Sequence, residues 1–218
     1  MDINIAKPRH LQVQPVGACW ALPGPLTRAD AGRATKAARS KRSPGDGYRA
    51  IDRYLYDLGG AEVNVTERRI TLQGAELPAV VTAMRADVRA RTNVLTGTFV
   101  TVGLGGGEEP LRMEMDLDSD QPASAWFENQ VITVSPGESI VVHLRATAVA
   151  SSVTWDLLID FVVAGRTWTE RLRSEDFLLR TTGLPCHTST HECYDSSCTT
   201  HENYQVHAHI GSQELVIS

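Results

Sequence analysis

The sequence lacks the features that would place it in a specialised class of protein. None of its apolar runs approaches the roughly 18 residues that a membrane-spanning helix needs. Its first ten residues contain no apolar segment typical of a secretory signal. With 42% hydrophobic and 22% charged residues, the composition excludes a collagen-like, long coiled-coil or wholly disordered chain. We therefore expect a globular, cytoplasmic protein of bacterial type, with 218 residues in one or two domains.

Positive charge is missing from the end of the chain, where no Lys or Arg follows Arg180. Residues 1–93 carry a net charge of +6, residues 94–183 carry −7, and residues 184–218 carry −4. This uneven distribution indicates either parts with different partners or basic and acidic parts that attract each other.

Residues 1–93 read as a small, basic α+β module. Thr27 and Asp30 match a capping box and predict a helix over Arg28–Arg39. Apolar residues at helical spacing predict a second helix over Tyr48–Leu58, and alternation predicts strands at Glu62–Thr66 and Arg69–Gln73. A third helix over residues 78–91 is predicted from the spacing of Leu77, Val80, Val81, Met84 and Val88.

Residues 94–183 read as an antiparallel β-sandwich, because short alternating segments follow one another between turn signals. Trp155, Ile159 and Phe161 share one face of the clearest segment and are expected in the core. The predicted strands are Thr98–Leu104, Leu111–Leu117, Ala125–Val134, Ser139–Thr147, Val153–Val163, Thr167–Leu172 and Phe177–Thr181.

Part of this region resembles a known group of sequences. The stretch over residues 125–183 contains AWFENQVITVSPGESIVVHL, TWDLLIDFVVAGRTWTERL and FLLRTTG. It resembles a β-sandwich region near the C-terminus of uncharacterised actinobacterial proteins. The resemblance implies a fold but brings no activity with it.

The remaining segment, residues 184–218, reads as an irregular Cys/His-rich tail with two short strands near its end. Thiolate and imidazole are the ligands that zinc prefers, so the tail predicts a structural zinc site. The candidate ligands are Cys186, His191, Cys193, Cys198, His201, His207 and His209. Their spacing matches no standard zinc finger, and two alternatives stay open: disulfide bonds in an oxidising compartment, or a disordered tail.

A second candidate site is a basic segment at the first predicted helix. Clustered positive charge neutralises phosphates and gives binding to nucleic acid that depends on salt and not on base sequence. The candidate residues are Arg28, Arg33, Lys36, Arg39, Lys41 and Arg42, with Arg49 and Arg53 on the following helix. The alternative is a solvated helix face or a partner for the acidic half of the chain.

No coherent catalytic arrangement is evident in the sequence. We therefore expect a non-catalytic binding or regulatory protein, with the sandwich as a platform for a protein partner and the basic module contacting nucleic acid or an acidic partner. The alternative is a zinc-dependent hydrolase that uses the tail ligands, with Glu192 or Glu202 as general base.

Overall fold

The computed structural model describes residues 12–15, 19–102, 111–186, 202–211 and 213–218. These residues form a mixed α+β protein with two β-sheets. Its helices are α1 (Arg28–Arg39), α2 (Pro44–Asp57) and the short α3 (Ser174–Phe177), and a 3-10 helix covers Ala125–Glu128. No helix in this described part of the chain is long and apolar enough to cross a membrane.

The strands follow one another along the described chain with few helical interruptions. They are β1 (Gln12–Pro15), β2 (Trp20–Leu22), β3 (Ala61–Val63), β4 (Val65–Gln73), β5 (Ala79–Thr92), β6 (Thr98–Val102), β7 (Leu111–Asp116), β8 (Ile132–Val134), β9 (Ser139–Thr147), β10 (Ser152–Val163), β11 (Arg166–Leu172), β12 (Arg180–Thr182), β13 (Val206–Gly211) and β14 (Glu214–Ile217).

The four-stranded sheet has the order β1-β4-β9-β7, and β7 runs parallel to β9. The ten-stranded sheet has the order β14-β13-β6-β2-β3-β12-β10-β5-β8, and β11 pairs with β10 beside this path. In both sheets, strands that precede residue 93 pair with strands that follow it, β4 with β9 and β5 with β10. Strands from residues 1–93 and from residues 94–183, which the sequence predicts as separate domains, therefore contribute to both sheets.

The largest apolar cluster contains side chains from both sheets. Ile70 and Leu144 come from the four-stranded sheet, and Trp155, Ile159 and Phe161 come from β10. The last three are 0%, 0% and 4% exposed, which confirms that they belong to the core. The Trp155 indole also donates a hydrogen bond to the Thr181 Oγ1, at 3.2 Å.

The helices cover the other end of the ten-stranded sheet. Ala34 and Ala38 of α1 and Ile51 of α2 share a buried cluster with Trp20 of β2 and Val100 of β6. Alternate residues of β2 and β6 belong to a third cluster, formed by Cys19, Ala21, Val63, Phe99, Leu184 and Tyr204. At this end of the sheet, α1 and α2 therefore cover one face. Leu184 and Tyr204 pack against the alternate residues, on the other face.

The predicted helix over residues 78–91 is wrong, because this segment is strand β5. The register of β5 against β10 shifts at two places, so Thr82 and Arg89 have no direct partner. Such bulges move the inward positions by one residue. The inward residues consequently run Ala79, Val81, Met84, and this mixed spacing imitates one face of a helix.

Most other predicted elements are present, with shifted ends. The helix at Arg28–Arg39 and the strand at Ser139–Thr147 are confirmed with the same bounds. The second helix begins at Pro44 and not at Tyr48, because Ser43 caps it and proline fits a first helical turn. The strand predicted over Ala125–Val134 is a 3-10 helix followed by the short β8.

We expect Trp155→Ala to lower the free energy of unfolding by about 3–5 kcal/mol, because it removes a fully buried ring and leaves a cavity. Trp168→Ala is the matched control, since Trp168 is 41% exposed on β11, and its effect should stay within roughly 0.5 kcal/mol. Urea denaturation of both variants measures the difference. Equal losses of stability would contradict the assignment of Trp155 to the core.

Candidate nucleic-acid interface

Two capped helices position the basic segment. The Thr27 Oγ1 accepts a hydrogen bond from the Asp30 N–H at 3.1 Å, and the Thr27 N–H donates to the Asp30 carboxylate at 3.2 Å. The Ser43 Oγ accepts from the Asp46 N–H at 3.2 Å and starts α2. Both caps satisfy amide groups that a helix N-terminus otherwise leaves unpaired. The connection that carries Lys41 and Arg42 lies between the end of α1, where the Ser40 N–H donates to the Lys36 carbonyl oxygen, and the start of α2 that Ser43 caps.

An open groove of about 690 Å³ runs along the exposed side of α2 and the end of α1. Lys41, Arg42, Arg49 and Arg53 contribute four positive charges to its lining. Its other lining residues are Ala37, Ser40, Asp46, Ala50, Tyr54 and Asp57. Basic side chains outnumber acidic ones by two to one, so the groove favours an anionic ligand.

The basic side chains in and near the groove differ in how strongly they are already held. Arg53 donates to the carbonyl oxygens of Glu175 and Asp176 and lies over the Tyr56 ring. Arg49 is 3.8 Å from the Asp46 carboxylate, a distance too long for a hydrogen bond. Lys41 and Arg42 are exposed, and their side chains have no hydrogen bond or ion pair within the described chain. These two side chains are consequently available to an external anion.

The six predicted nucleic-acid residues lie on α1 and in the connection after it, but the structure does not bring all of them together. Arg33 is occupied by Asp30 and by the Tyr54 hydroxyl, at 2.5 and 2.9 Å. Arg39 forms an ion pair with Glu214 of β14. Arg28 and Lys36 are exposed but do not line the groove. Lys41 and Arg42 are the two of the six that line it.

A buried ion pair lies where the two sheets meet. Arg68 of β4 and Glu62 of β3 are 1% and 2% exposed, and the Arg68 Nη1 is 2.9 Å from both carboxylate oxygens. The guanidinium also donates to the carbonyl oxygens of Glu67, Phe177 and Leu178, at 2.7, 3.0 and 2.8 Å. Burial raises the pKa of Glu62, and the positive charge of Arg68 opposes that shift.

A second carboxyl group, Asp52 of α2, lies within electrostatic reach of this pair. It accepts a hydrogen bond from the Trp20 indole at 3.1 Å. Burial raises the pKa of Asp52 to about 7, the negative charge of Glu62 adds to the rise, and Arg68 counteracts it. A carboxyl group shifted this far is a common sign of a functional site, although internal charge networks produce the same shift. Asp52 does not line the α1–α2 groove, and its carboxylate is held by Trp20 of β2, so we assign it a structural role where α2 packs on the sheet.

This charged centre is not predicted from the sequence, although part of its signal is present there. Thr66, Arg68, Ile70 and Leu72 alternate along β4, and all four are buried. Extending the alternation of Ile70 and Leu72 back by one step places Arg68 inward. Its pairing with Glu62 depends on how the strands of two sheets approach each other, which local spacing does not predict.

The predicted zinc ligands lie only partly within the described residues. His191, Cys193, Cys198 and His201 lie outside them. His207 and His209 alternate on β13, where His207 contacts the rings of Phe99 and Tyr204 and His209 is exposed. Among the described residues, no group of three or more His, Cys, Asp or Glu could hold a metal ion.

Cys186 and Cys19 are each disulfide-bonded. Both contribute to the third apolar cluster, in which Cys19 is fully buried and Cys186 packs against the edge. A zinc ligand must be a thiolate, and a disulfide sulfur is not one. Cys186 would therefore serve as a zinc ligand only after reduction of its bond, and here the structure agrees with the disulfide alternative that the sequence leaves open.

Comparisons with known proteins found no matching family model, no matching curated protein and no matching solved structure.

We expect Asp52→Asn to stabilise the protein at pH 8 and to lose this advantage near pH 4. The folded state holds the Asp52 proton more tightly than the unfolded chain does, so the carboxyl lowers the free energy of unfolding as the pH rises from 3.8 to about 7. One unit of pKa corresponds to about 1.4 kcal/mol, so the gain at pH 8 should be roughly 2–4 kcal/mol. Urea denaturation at both pH values measures it. A gain that is the same at both pH values would contradict the raised pKa.

We expect a thiol reagent to label Cys19 and Cys186 only after reduction, because a disulfide sulfur does not react with it. Peptide mass spectrometry after treatment with iodoacetamide, with and without prior reduction, reports each cysteine separately. Labelling of the denatured, unreduced protein at Cys186 would instead leave its thiolate available for zinc.

Proposed function

We propose that the chain is a non-catalytic binding protein whose α1–α2 groove contacts the phosphates of a nucleic acid. The observation that carries the proposal is the exposure of Lys41 and Arg42 in a groove that Arg49 and Arg53 also line. Contacts from Lys and Arg to phosphates supply affinity and orientation without reading the base sequence. The expected binding is therefore strong at low salt and tolerant of sequence.

The charge of the helical pair supports this proposal. Residues 27–58 contain eight Lys or Arg and four Asp, which gives a net charge of +4 in a chain whose overall charge is −5. Attraction within the protein explains part of this excess, because Arg39 pairs with Glu214. It does not explain Lys41 and Arg42, which have no such partner within the described chain.

The proposal assigns the two sheets a supporting role. Their shared apolar cluster supports a β-sandwich arrangement that serves as a platform for a protein partner. We also propose that residues 184–218 bind a structural zinc ion. His207 and His209 suit that role because they alternate on one strand, whereas Cys186 does not suit it in its disulfide-bonded form.

We expect Lys41→Ala combined with Arg42→Ala to weaken binding to every oligonucleotide and to make binding less sensitive to salt. Each lost phosphate contact should lower the slope of log K against log [salt] by about 0.7–0.9, because fewer counterions are released. Fluorescence anisotropy with labelled mixed-sequence duplex and single-stranded oligonucleotides, over a series of salt concentrations, measures both quantities.

The control variant combines Arg28→Ala with Arg166→Ala and removes the same net charge from exposed positions outside the groove. It should shift affinity slightly and leave the salt slope nearly unchanged. Absence of measurable binding at low salt would contradict the proposal that the protein binds nucleic acid. Equal effects of the two double variants would contradict the groove as the binding site. Binding to one oligonucleotide sequence alone would argue for base readout and against simple phosphate contact.

A further inference from the structure

The outer face of the four-stranded sheet carries a second concentration of charged groups. This face is formed by the residues of β4, β7 and β9 that alternate with the buried core residues, and its charged residues and histidine are Glu67, Arg69, Arg112, Glu114, Asp116, His143 and Arg145. Arg69, His143 and Arg112 lie side by side in one cross-strand row. Glu67, Arg145 and Glu114 form the adjacent row. The sheet register therefore places a histidine among three arginines.

Three nitrogen atoms on this face are buried without a hydrogen-bond partner. They are the Nδ1 and Nε2 of His143 and the Nε of Arg145. The side chains of His143 and Arg145 are 13% and 16% exposed, so water reaches them only in part. Leaving a buried donor unpaired is costly, and nearly all buried polar groups in proteins have a partner. These nitrogens therefore indicate a binding site for a ligand that accepts hydrogen bonds.

The carboxylate of Glu67 does not fill that place. Its oxygens are 3.8 Å from the His143 Nε2 and 3.7 Å from the Arg145 Nε, and both distances exceed that of a hydrogen bond. Arg69, in the row of His143, is exposed and has no partner within the described chain. The face carries three arginines and three acidic residues, Glu67, Glu114 and Asp116, so its preference for an anion rests on the unpaired donors and not on an excess of positive charge.

We propose that the outer face of the four-stranded sheet is an oxyanion site, in which His143 and Arg145 donate hydrogen bonds to a phosphate or carboxylate group and Arg69 adds a positive charge. An oxyanion supplies several acceptor oxygens, which matches the unpaired donors. Hydrogen bonds from charged donors to such groups are among the strongest that proteins make. The site lies on the four-stranded sheet, whereas the groove residues lie on α1, α2 and their connection, so it does not depend on the nucleic-acid proposal.

Titration of the full chain with inorganic phosphate, followed by NMR of the imidazole nitrogens, tests the proposal. The ring signals of His143 should shift and saturate, while those of the exposed His209 should not follow the same curve. Arg145→Met should weaken phosphate binding at least about tenfold through loss of a charged hydrogen bond. Arg166→Met, an exposed arginine on β11, is the matched control and should leave it unchanged.

A parallel titration with acetate separates the two ligand chemistries. Saturation by phosphate alone assigns a phosphate site, and saturation by acetate alone assigns a carboxylate site. The proposal is overturned if the His143 signals do not respond to phosphate or acetate. It is also overturned if they respond without saturation and in parallel with the His209 signals. Either result would leave the face as a cluster bridged by water to Glu67. An equal effect of Arg145→Met and Arg166→Met would also overturn it.

Discussion

The ion pair between Arg68 and Glu62 is the interaction on which the architecture depends. It joins a strand of each sheet, and the same guanidinium donates to the carbonyl oxygens of Phe177 and Leu178 at the end of α3. Burying two charges is favourable only when nearly all of their hydrogen-bonding groups are satisfied, and loss of one partner typically costs about 3–5 kcal/mol. A change of either residue would therefore disturb the contact between the sheets and the setting of Asp52 beneath α2.

Local chemistry made several elements predictable. Thr27 and Asp30 define the start of α1, and the strict alternation around Trp155 identifies β10 and its core face. The same method failed for β5, because two bulges disguise its period. It also could not place Arg68 beside Glu62, which depends on how the two sheets approach each other, or Glu67 beside His143, which depends on strand register. The basic residues of the candidate interface were predictable from the sequence. The ion pair between Arg39 and Glu214 was not.

Charge is arranged so that the most basic part of the chain remains accessible. The α1–α2 pair lies over one end of the ten-stranded sheet, and its exposed side carries Lys41 and Arg42. The disulfide-bonded Cys19 and Cys186 lie in the separate cluster formed by the alternate residues of the same strands. Disulfides persist mainly in oxidising compartments, so this feature argues against the cytoplasmic location expected from the sequence. Phosphate neutralisation does not depend on which compartment holds the protein.

The strand order of the ten-stranded sheet has a consequence for biosynthesis. β6 from the middle of the chain lies between β2, near the start, and β13, near the end. Until β13 has left the ribosome, one edge of β6 has no partner, and an unpaired strand edge is a template for intermolecular pairing. Contacts between such distant segments also raise the contact order and slow folding. A chaperone that covers the free edge of β6 would therefore be most useful before β13 is synthesised.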